Sequence, residues 1–192
     1  MRILSIFILS LSILIASPAY SAWKLDSSQS SLTFVSIKKG TVAENHRFKT
    51  FSGDINSNGS ASITIDLNSV DTNIAIRDQR MTEYLFEAAK FTEANFSVQL
   101  NNNDIDAITI GSSKKISVTG RLDLHGQQQE IILNVMVAKL SEKNMMVTTL
   151  QPVIIKAEDF ALVAGINKLK SLASLPSIAY TVPVSFVLTF TQ

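Results

Sequence analysis

The chain of 192 residues contains no cysteine and only two histidines. The absence of cysteine excludes disulfides, thiolate catalysis, iron–sulfur clusters, cysteine zinc sites and acylation of a cysteine. Two histidines leave few side chains that could ligate a metal, so no metal and no other cofactor is expected. The fold must therefore be stabilised by its hydrophobic core, and a domain of this size can bury one of ordinary dimensions.

Charge of either sign is also scarce. Lys and Arg number 17 against 16 Asp and Glu, which gives a formal net charge of +1, and charged residues make up 17% of the chain. Nucleic-acid-binding proteins usually show a basic excess or a basic stripe, so no nucleic-acid partner is expected. With 46% hydrophobic residues the chain is too apolar to be disordered. The composition predicts a folded domain.

One apolar run stands apart at the N-terminus. It extends from Ile3 to Ala16, follows Arg2, and precedes Ala19-Tyr20-Ser21, which fits the small-x-small rule for signal peptide cleavage. A helix of that length spans about 21 Å, short of a hydrocarbon core of about 30 Å, which disfavours an uncleaved anchor. The sequence predicts a signal peptide over 1–21 and one periplasmic domain over 22–192. No later apolar run is long enough for stable membrane insertion.

Alternation of apolar and polar residues dominates the rest of the chain and indicates strands with one buried face. It is clearest from Ile178 to Phe190, where every second residue is apolar. Shorter alternating segments cover 32–37, 61–67, 96–100, 116–124 and 131–137. Because turn-forming residues separate these segments, the pattern predicts an all-β fold built from consecutive antiparallel hairpins.

Two segments depart from this alternation. Residues 74–90 are rich in helix formers with apolar residues at helical spacing, and 162–173 form a second apolar stripe that ends before Pro176. They predict one or two short helices that cover the sheet. About eight to ten consecutive strands lose their exposed edges when they close, so we expect a single antiparallel β-barrel. A barrel of about eight strands has room for side chains or for one slender ligand.

Large apolar side chains are concentrated near the predicted helices and barrel ends. Each of them fits a packed core, and the alternative is that some line an elongated lipid cavity. On that alternative the candidate ligand-binding residues are Phe34, Phe48, Phe51, Met81, Leu85, Phe86, Phe96 and Met136, with Arg77 as the polar candidate. Arg77 either pairs with a carboxylate and holds its helix against the barrel, or binds a ligand head group. Pairing is favoured, because a buried charge requires a partner.

The two histidines supply the only imidazoles for acid–base catalysis. A serine hydrolase would place one beside a nucleophile, but the chain has no G-x-S-x-G motif, and the S-x-x-K matches at 36–39 and 112–115 neither open a predicted helix nor precede K-T-G. His125 lies at a predicted hairpin tip, where we expect it to bond the turn backbone. His46 is expected in a polar connection. The sequence therefore predicts a protein that is not an enzyme.

Several short motifs follow one another from Trp23 to Phe190. They are Trp23-Lys24-Leu25-Asp26, Ser30-Ser31-Leu32-Thr33-Phe34, Phe51-Ser52-Gly53-Asp54-Ile55, Ile65-Asp66-Leu67-Asn68-Ser69-Val70-Asp71-Thr72, Arg77-Asp78, Asn95-Phe96-Ser97 and Gly120-Arg121-Leu122-Asp123-Leu124-His125-Gly126. In this order they resemble the YceI-like family of polyisoprenoid-binding periplasmic proteins. The most specific part is the combination of Ser-Val-Asp-Thr, Arg-Asp and the later Leu-His-Gly.

The resemblance implies an extended lipocalin-like β-barrel whose pore takes a long isoprenoid or similar chain. Because members of this family sometimes form dimers, the resemblance also implies a homodimer. The chain departs from the family pattern at two points. Gln29-Ser30 stands where the family commonly has His-Ser, which puts a polar role there in doubt. Ala161 follows Glu158-Asp159-Phe160 where the family has glycine, so a different local turn is expected.

These observations predict a periplasmic binding or carrier protein for a long hydrophobic chain, a polyisoprenoid or other long-chain lipid, held in the barrel interior. The alternative is a periplasmic stress-response or interaction module whose barrel is packed by its own side chains and binds no ligand. A third interpretation is a hydrolase or isomerase that uses His125. The first two interpretations differ in whether the barrel interior is hollow. The alternation of apolar and polar residues along a strand does not distinguish a hollow interior from a packed one.

Overall fold

The computed structural model describes residues 21–192, so the predicted signal peptide lies outside the described residues except for Ser21. The described chain is built mainly from strands, joined in most cases by tight turns. In chain order the strands are β1 (Ser21–Lys38), β2 (Val42–Phe48), β3 (Phe51–Asn56), β4 (Ser60–Asp66), β5 (Val70–Asp71), β6 (Glu93–Gln99), β7 (Ser113–Leu124), β8 (Gln127–Lys139), β9 (Asn144–Thr149), β10 (Val153–Lys156) and β11 (Thr181–Thr191).

Helical structure is limited to short segments. The helices are α1 (Ala75–Arg80), which continues as a π-helical turn (Met81–Leu85), α2 (Asn102–Asp106) and α3 (Val163–Leu172). Single 3₁₀ turns cover Leu67–Ser69 and Ala157–Phe160. Within residues 21–192, no helix has the length and apolar character needed to cross a membrane.

Eight strands close into an antiparallel ring in the order β1-β3-β4-β6-β7-β8-β9-β11, and β11 pairs back onto β1. The remaining strands extend one end of this ring. β2 and β3 pair with successive parts of β1, and β9 and β10 pair with successive parts of β11, so each of these pairs behaves as one interrupted strand. The closed ring leaves few edges exposed, which is the expected benefit of closure.

β1 carries a bulge between Asp26 and Ser31, where its register with β11 shifts. Ser30 fills the gap in the ladder, because its hydroxyl donates to the Asp26 carbonyl at 2.6 Å and accepts from the Thr189 amide at 2.9 Å. Gln29 contributes its carbonyl, which accepts from the Thr189 hydroxyl at 3.0 Å. The Gln29-Ser30 pair that departs from the family pattern therefore holds the β1–β11 seam together through Ser30 and the backbone.

The inner face of the ring is formed by the alternating apolar rows. Along β7 and β8, Ile116 lies opposite Val135, and Gly120 lies opposite Ile131. The ring of Phe96 fills the space above Gly120, since a Cβ placed on that glycine would lie 2.2 Å from Phe96 Cζ. A glycine in the middle of this strand is therefore required by close packing rather than by a turn.

The predicted single antiparallel barrel with short helices is confirmed. The predicted helix over 74–90 is shorter in the structure, since α1 and its π-helical turn end at Leu85, while the predicted 162–173 helix matches α3. Ala161 has φ +55°, the left-handed conformation that a glycine would favour. Alanine therefore adopts a glycine-like geometry at this turn.

Candidate functional site

A cavity of about 300 Å³ lies inside the ring, and all eight ring strands contribute to its wall. The wall is almost entirely aliphatic and aromatic side chains. For comparison, a dry cavity of roughly 150 Å³ accommodates a benzene molecule. The interior of this barrel is therefore hollow and suited to an apolar ligand.

α2 covers one end of the cavity. Its Ile105 contributes to the wall, and Ile108, just after the helix, is buried in the same hydrophobic cluster. Asp54 and Asp104 are the acidic residues that reach the lining at this end, and the Asp104 carboxylate binds the Lys114 ammonium at 2.7 Å. This end is closed by a short helix with a polar margin.

α1, its π-helical turn and α3 cover the other end, and we call these three segments the cap. Four apolar side chains of the cap and the residues beside it reach the cavity wall: Leu85, Phe86, Leu162 and Ile166. The cap also has two charged residues at the barrel rim, Arg77 and Asp78 of α1. The cap is thus apolar toward the cavity and polar toward the rim.

Three phenylalanines form a layer under this cap. The ring centroids of Phe34 and Phe48 are 5.4 Å apart, and those of Phe48 and Phe86 are 5.8 Å apart, both in tilted arrangements. Phe34 also contacts the imidazole of His46 at 5.2 Å. Phe34 therefore borders the cavity on one side and a polar region on the other.

The polar region, which we call the rim cluster, consists of side chains of β1, β2, α1 and the segment leading into α1. Its members are Ser36, Lys38, Glu44, His46, Thr72, Arg77 and Asp78. His46 is 3% exposed, and its Nε2 lies 2.8 Å from the Ser36 hydroxyl. Its pairing opposite Phe34 in the β1–β2 ladder places the imidazole on the inner face of the sheet.

Arg77 connects α1 to the barrel. One terminal nitrogen donates to Glu44 Oε2 at 3.0 Å, and the other donates to the Thr72 carbonyl at 2.7 Å. Glu44 also binds the Lys38 ammonium at 2.8 Å. Asp78 accepts from the Thr72 amide at 2.8 Å and from the Thr72 hydroxyl. Of the two roles left open for Arg77, the structure shows the paired one, with Glu44 as the partner.

The environment fixes the charge of two members of the cluster. Burial lowers the pKa of His46, and the Arg77 guanidinium lowers it further, so the imidazole is neutral at pH 7. The bond from Lys38 lowers the pKa of Glu44, and Arg77 adds to this effect, so that side chain is a carboxylate. The cations Lys38 and Arg77 are thus balanced by Glu44 and Asp78 around a neutral imidazole.

The structure places His125 away from the cavity wall. Its Nε2 lies 2.9 Å from a Glu87 carboxylate oxygen, and its ring centroid is 4.4 Å from that of Phe91. The expectation that His125 bonds the turn backbone is therefore wrong, because its side chain turns toward the segment that follows the π-helical turn. Both His125 and Glu87 have positive φ, at +54° and +46°.

Six of the nine candidate residues line the cavity: Phe34, Phe48, Phe51, Leu85, Phe86 and Phe96. Three do not. Met81 is buried in the hydrophobic cluster beneath the cap, and Arg77 belongs to the rim cluster. Met136 faces outward, because its neighbours Val135 and Val137 point inward and a strand alternates its faces. Its assignment to the interior is corrected.

His46 is the residue that the sequence interpretation misplaced. It lies in β2 rather than in a polar connection, and it shares a strand face with Glu44 and Phe48. The spacing of two between these residues is the signal that could have indicated a strand. Among residues 21–192, no group of three or more metal-binding side chains converges.

Comparison with known proteins agrees with this architecture. A model of the YceI-like domain matches residues 23–190, while no curated protein matches the chain. A polyisoprenoid-binding domain from Saccharophagus degradans, implicated in plant cell wall breakdown, is 42% identical, with 90% of this chain and 99% of that chain covered and a TM-score of 0.88.

Two further solved structures share the fold. BcnA from Burkholderia cenocepacia is 24% identical, with 86% of this chain and 98% of that chain covered and a TM-score of 0.67. The YCEI protein of Campylobacter jejuni is 19% identical, with 73% and 82% covered and a TM-score of 0.51. The family model covers nearly all of the described residues, and the chain belongs to the YceI-like domain family.

Proposed function

We propose that this chain is a periplasmic binding or carrier protein that holds a long hydrophobic chain, an isoprenoid or similar lipid, in the barrel cavity. The observation that carries this proposal is the apolar cavity of about 300 Å³, to whose wall all eight ring strands contribute. The 42% identical relative, a polyisoprenoid-binding domain, supports a ligand of this class. The cavity favours this function over a ligand-free interaction module.

The energetics of an apolar site favour a long ligand. Burial of each methylene contributes roughly 0.8 kcal/mol. Association costs about 4 kcal/mol or more in lost translational and rotational freedom. A chain therefore has to bury well over five carbons before binding becomes favourable. Phe34, Phe48, Phe51, Leu85, Phe86 and Phe96 would supply much of the contact surface.

We propose that binding proceeds without catalysis. In a hydrolytic triad the imidazole contacts a nucleophile on one nitrogen and an orienting carboxylate on the other. His46 has a serine on Nε2, but among the described residues no carboxylate contacts its Nδ1. His125 has a carboxylate, Glu87, and is absent from the residues lining the cavity. Neither imidazole has the complete arrangement beside the proposed ligand.

Export is part of the proposal and rests on the sequence of 1–21. Cleavage after Ser21 would give a mature chain that begins at Ala22. N-terminal sequencing of the protein recovered from the periplasmic fraction tests this directly. Recovery of the intact N-terminus in the membrane fraction would contradict it.

A matched pair of variants in β8 tests the proposed cavity. Val135 lines the cavity and Met136, the next residue, faces outward. Val135→Phe should reduce uptake of NBD-labelled geranylgeraniol at least tenfold and leave stability unchanged or raised, because the ring fills empty space. Met136→Phe should bind the probe as the parent does. If the interior were packed by its own side chains, Val135→Phe would instead cost about 1–3 kcal/mol and the parent would not bind the probe.

A further inference from the structure

Two large aliphatic side chains protrude at the α2 end of the barrel. Ile110, in the turn before β7, is 56% exposed, and Leu140, in the turn after β8, is 53% exposed. The two turns are bonded to each other, because the Gly111 amide donates to the Lys139 carbonyl at 2.8 Å. Ile110 and Leu140 are the chain neighbours of the two residues in this bond. They therefore form one apolar protrusion, which we call the aliphatic tip.

Lysines outnumber acidic residues in the segments around the aliphatic tip. The lysines are Lys114, Lys115, Lys139 and Lys143, and the acidic residues are Asp104, Asp106 and Glu142. The Asp104 carboxylate binds Lys114 at 2.7 Å, which leaves three lysines against two carboxylates. Protruding aliphatic side chains beside lysines are typical of a protein surface that binds the interface of a bilayer containing anionic lipids.

The barrel wall has little strand pairing between β6 and β7 at this same end. β7 pairs with β8 over its whole length, whereas within residues 21–192 its pairing with β6 covers only 95–97 against 121–123. The segment that joins β6 to β7 carries α2 and contributes Ile105 to the cavity wall. Ile108 of the same segment is buried in one hydrophobic cluster with Ile116 of β7. Side chains of a short helical segment therefore help to close the wall where the β6–β7 ladder ends.

The aliphatic tip and this closing segment are continuous in the chain. Ile105 and Ile108 pack toward the cavity, and Ile110, two residues after Ile108, is exposed to solvent. A contact that draws Ile110 into an apolar phase therefore acts directly on the segment that closes the cavity. The α2 end thus combines a surface suited to a lipid phase with a route from that phase to the barrel interior.

The small size of the aliphatic tip favours a bilayer over a protein as its partner. Two side chains that are about half exposed supply far less than the roughly 800 Å² that each partner buries in a specific protein interface. A bilayer requires no matching surface, because aliphatic side chains enter the acyl boundary while lysine ammonium groups stay among the head groups. Lys139 and Lys143, in the same turn region as Leu140, are placed to do this.

We propose that the aliphatic tip docks the protein reversibly on the surface of a bilayer that contains anionic phospholipids. Ile110 and Leu140 insert below the head groups, and Lys139 and Lys143 bind the lipid phosphates. This inference goes beyond the proposed function, because docking concerns the bilayer surface and does not require a ligand in the cavity.

Flotation of the mature chain with phospholipid vesicles tests docking. Vesicles of phosphatidylcholine and phosphatidylglycerol in equal parts should bind the parent, and the double variant Ile110→Ser/Leu140→Ser should bind at least tenfold more weakly. Lys139→Gln/Lys143→Gln should lose most of the preference for these vesicles over phosphatidylcholine alone. Ile132→Ser is the matched control, since Ile132 is 62% exposed but lies in the middle of β8, and it should float as the parent does.

Three results would overturn the proposal. They are a parent that does not bind the mixed vesicles, a double variant that floats as the parent does, and an equal loss in Ile132→Ser. A parent that dimerises in solution, with the dimer lost in the double variant, would assign the aliphatic tip to a second copy of the chain instead.

The absence of cysteine from the chain allows a second, site-specific measurement of insertion. Leu140→Cys and Ile132→Cys each take a single NBD label. On addition of the mixed vesicles, the emission of the label at 140 should shift to the blue and that at 132 should stay unchanged. An unchanged spectrum at 140 would overturn the proposal. Binding of a prenyl probe without vesicles tests the proposed function separately, and the double variant should retain it, which also shows that this variant folds.

Discussion

Gly165 of α3 lies directly against the backbone of Leu85 in the π-helical turn. A Cβ on Gly165 would lie 2.7 Å from Leu85 Cα and 2.5 Å from the Tyr84 carbonyl oxygen, which is closer than real Cβ atoms approach. α3 and the π-helical turn are therefore in backbone contact within the cap. This packing brings Leu85 and Ile166 together onto the cavity wall.

Gly165→Ala should loosen the cap. Alanine is the better helix former, but the contact with Tyr84 and Leu85 forces the segments apart, and overpacking of this kind costs typically about 1–3 kcal/mol. We expect a loss of about 2 kcal/mol in urea unfolding and faster amide exchange over 81–86. Ser171→Ala, an exposed change in the same helix, should stay within about 0.5 kcal/mol of the parent. A Gly165→Ala variant as stable as the parent would contradict the packing described.

Arg77→Met should destabilise the fold by about 2 kcal/mol. The substitution removes donors from Glu44 and from the Thr72 carbonyl. The loss of stability is smaller than that for a fully buried ion pair, because Lys38 still binds Glu44 in the variant. In addition, the side chains of Arg77 and Glu44 are about a quarter exposed, at 24% and 28%.

Arg47→Met provides the control for that prediction. Arg47 also pairs with a carboxylate, that of Asp71 at 2.7 Å, but its side chain is 59% exposed. Exposed pairs contribute little, so chemical unfolding of this variant should show a clearly smaller loss. Equal losses in the two variants would show that Arg77 does not hold the cap in place.

Stability should fall as the pH is lowered below 6.5, in part through His46. Its pKa is lower in the folded state than in the unfolded state because the imidazole is buried. As the pH falls, the unfolded chain therefore takes up a proton on His46 before the folded chain does. The contribution of the neutral imidazole to the free energy of unfolding is complete above pH 6.5 and is lost as the pH falls toward the pKa of His46 in the folded state. A single proton limits the slope to about 1.4 kcal/mol per pH unit.

Urea unfolding at pH 7.5 and pH 5.5 isolates that contribution. His46→Phe should lose less stability between the two values than the parent does. Three carboxylates also have a lowered pKa: Asp26, Glu44 and Asp71. Their contribution to stability is lost only as the pH falls below their ordinary range near 4, so it does not interfere between pH 7.5 and pH 5.5. An identical pH dependence in parent and variant would contradict a buried neutral imidazole.

The sequence predicts the barrel because its long strands are half-buried and therefore alternate. β7, β8 and β11 were recognisable in this way. β2 was not recognisable, because His46 is surrounded in the sequence by the polar residues Glu44, Asn45 and Arg47. Since the inner face of β2 near the rim is itself polar, the strand shows no alternation of apolar and polar residues. α2 is not predicted by the sequence, because its asparagine-rich start is typical of a turn.

The candidate site was predictable in composition and not in arrangement. Large apolar side chains near the predicted helices and barrel ends indicated the residues of a cavity wall, and six of the nine candidates lie there. The Met136 assignment failed because it followed residue size instead of the alternation that places Val135 and Val137 inward. The pairing of Arg77 with Glu44 joins residues 33 positions apart, and only the closed barrel brings them together.

Native mass spectrometry of the protein, purified from its host without detergent, tests the central claim most directly. The account predicts a mature chain beginning at Ala22 that carries added mass corresponding to a long-chain lipid, lost on delipidation and restored by addition of a prenyl lipid. Val135→Phe should show little or no added mass, and Met136→Phe should match the parent. A parent spectrum with the bare chain alone, both before and after addition of prenyl lipid, would contradict the account.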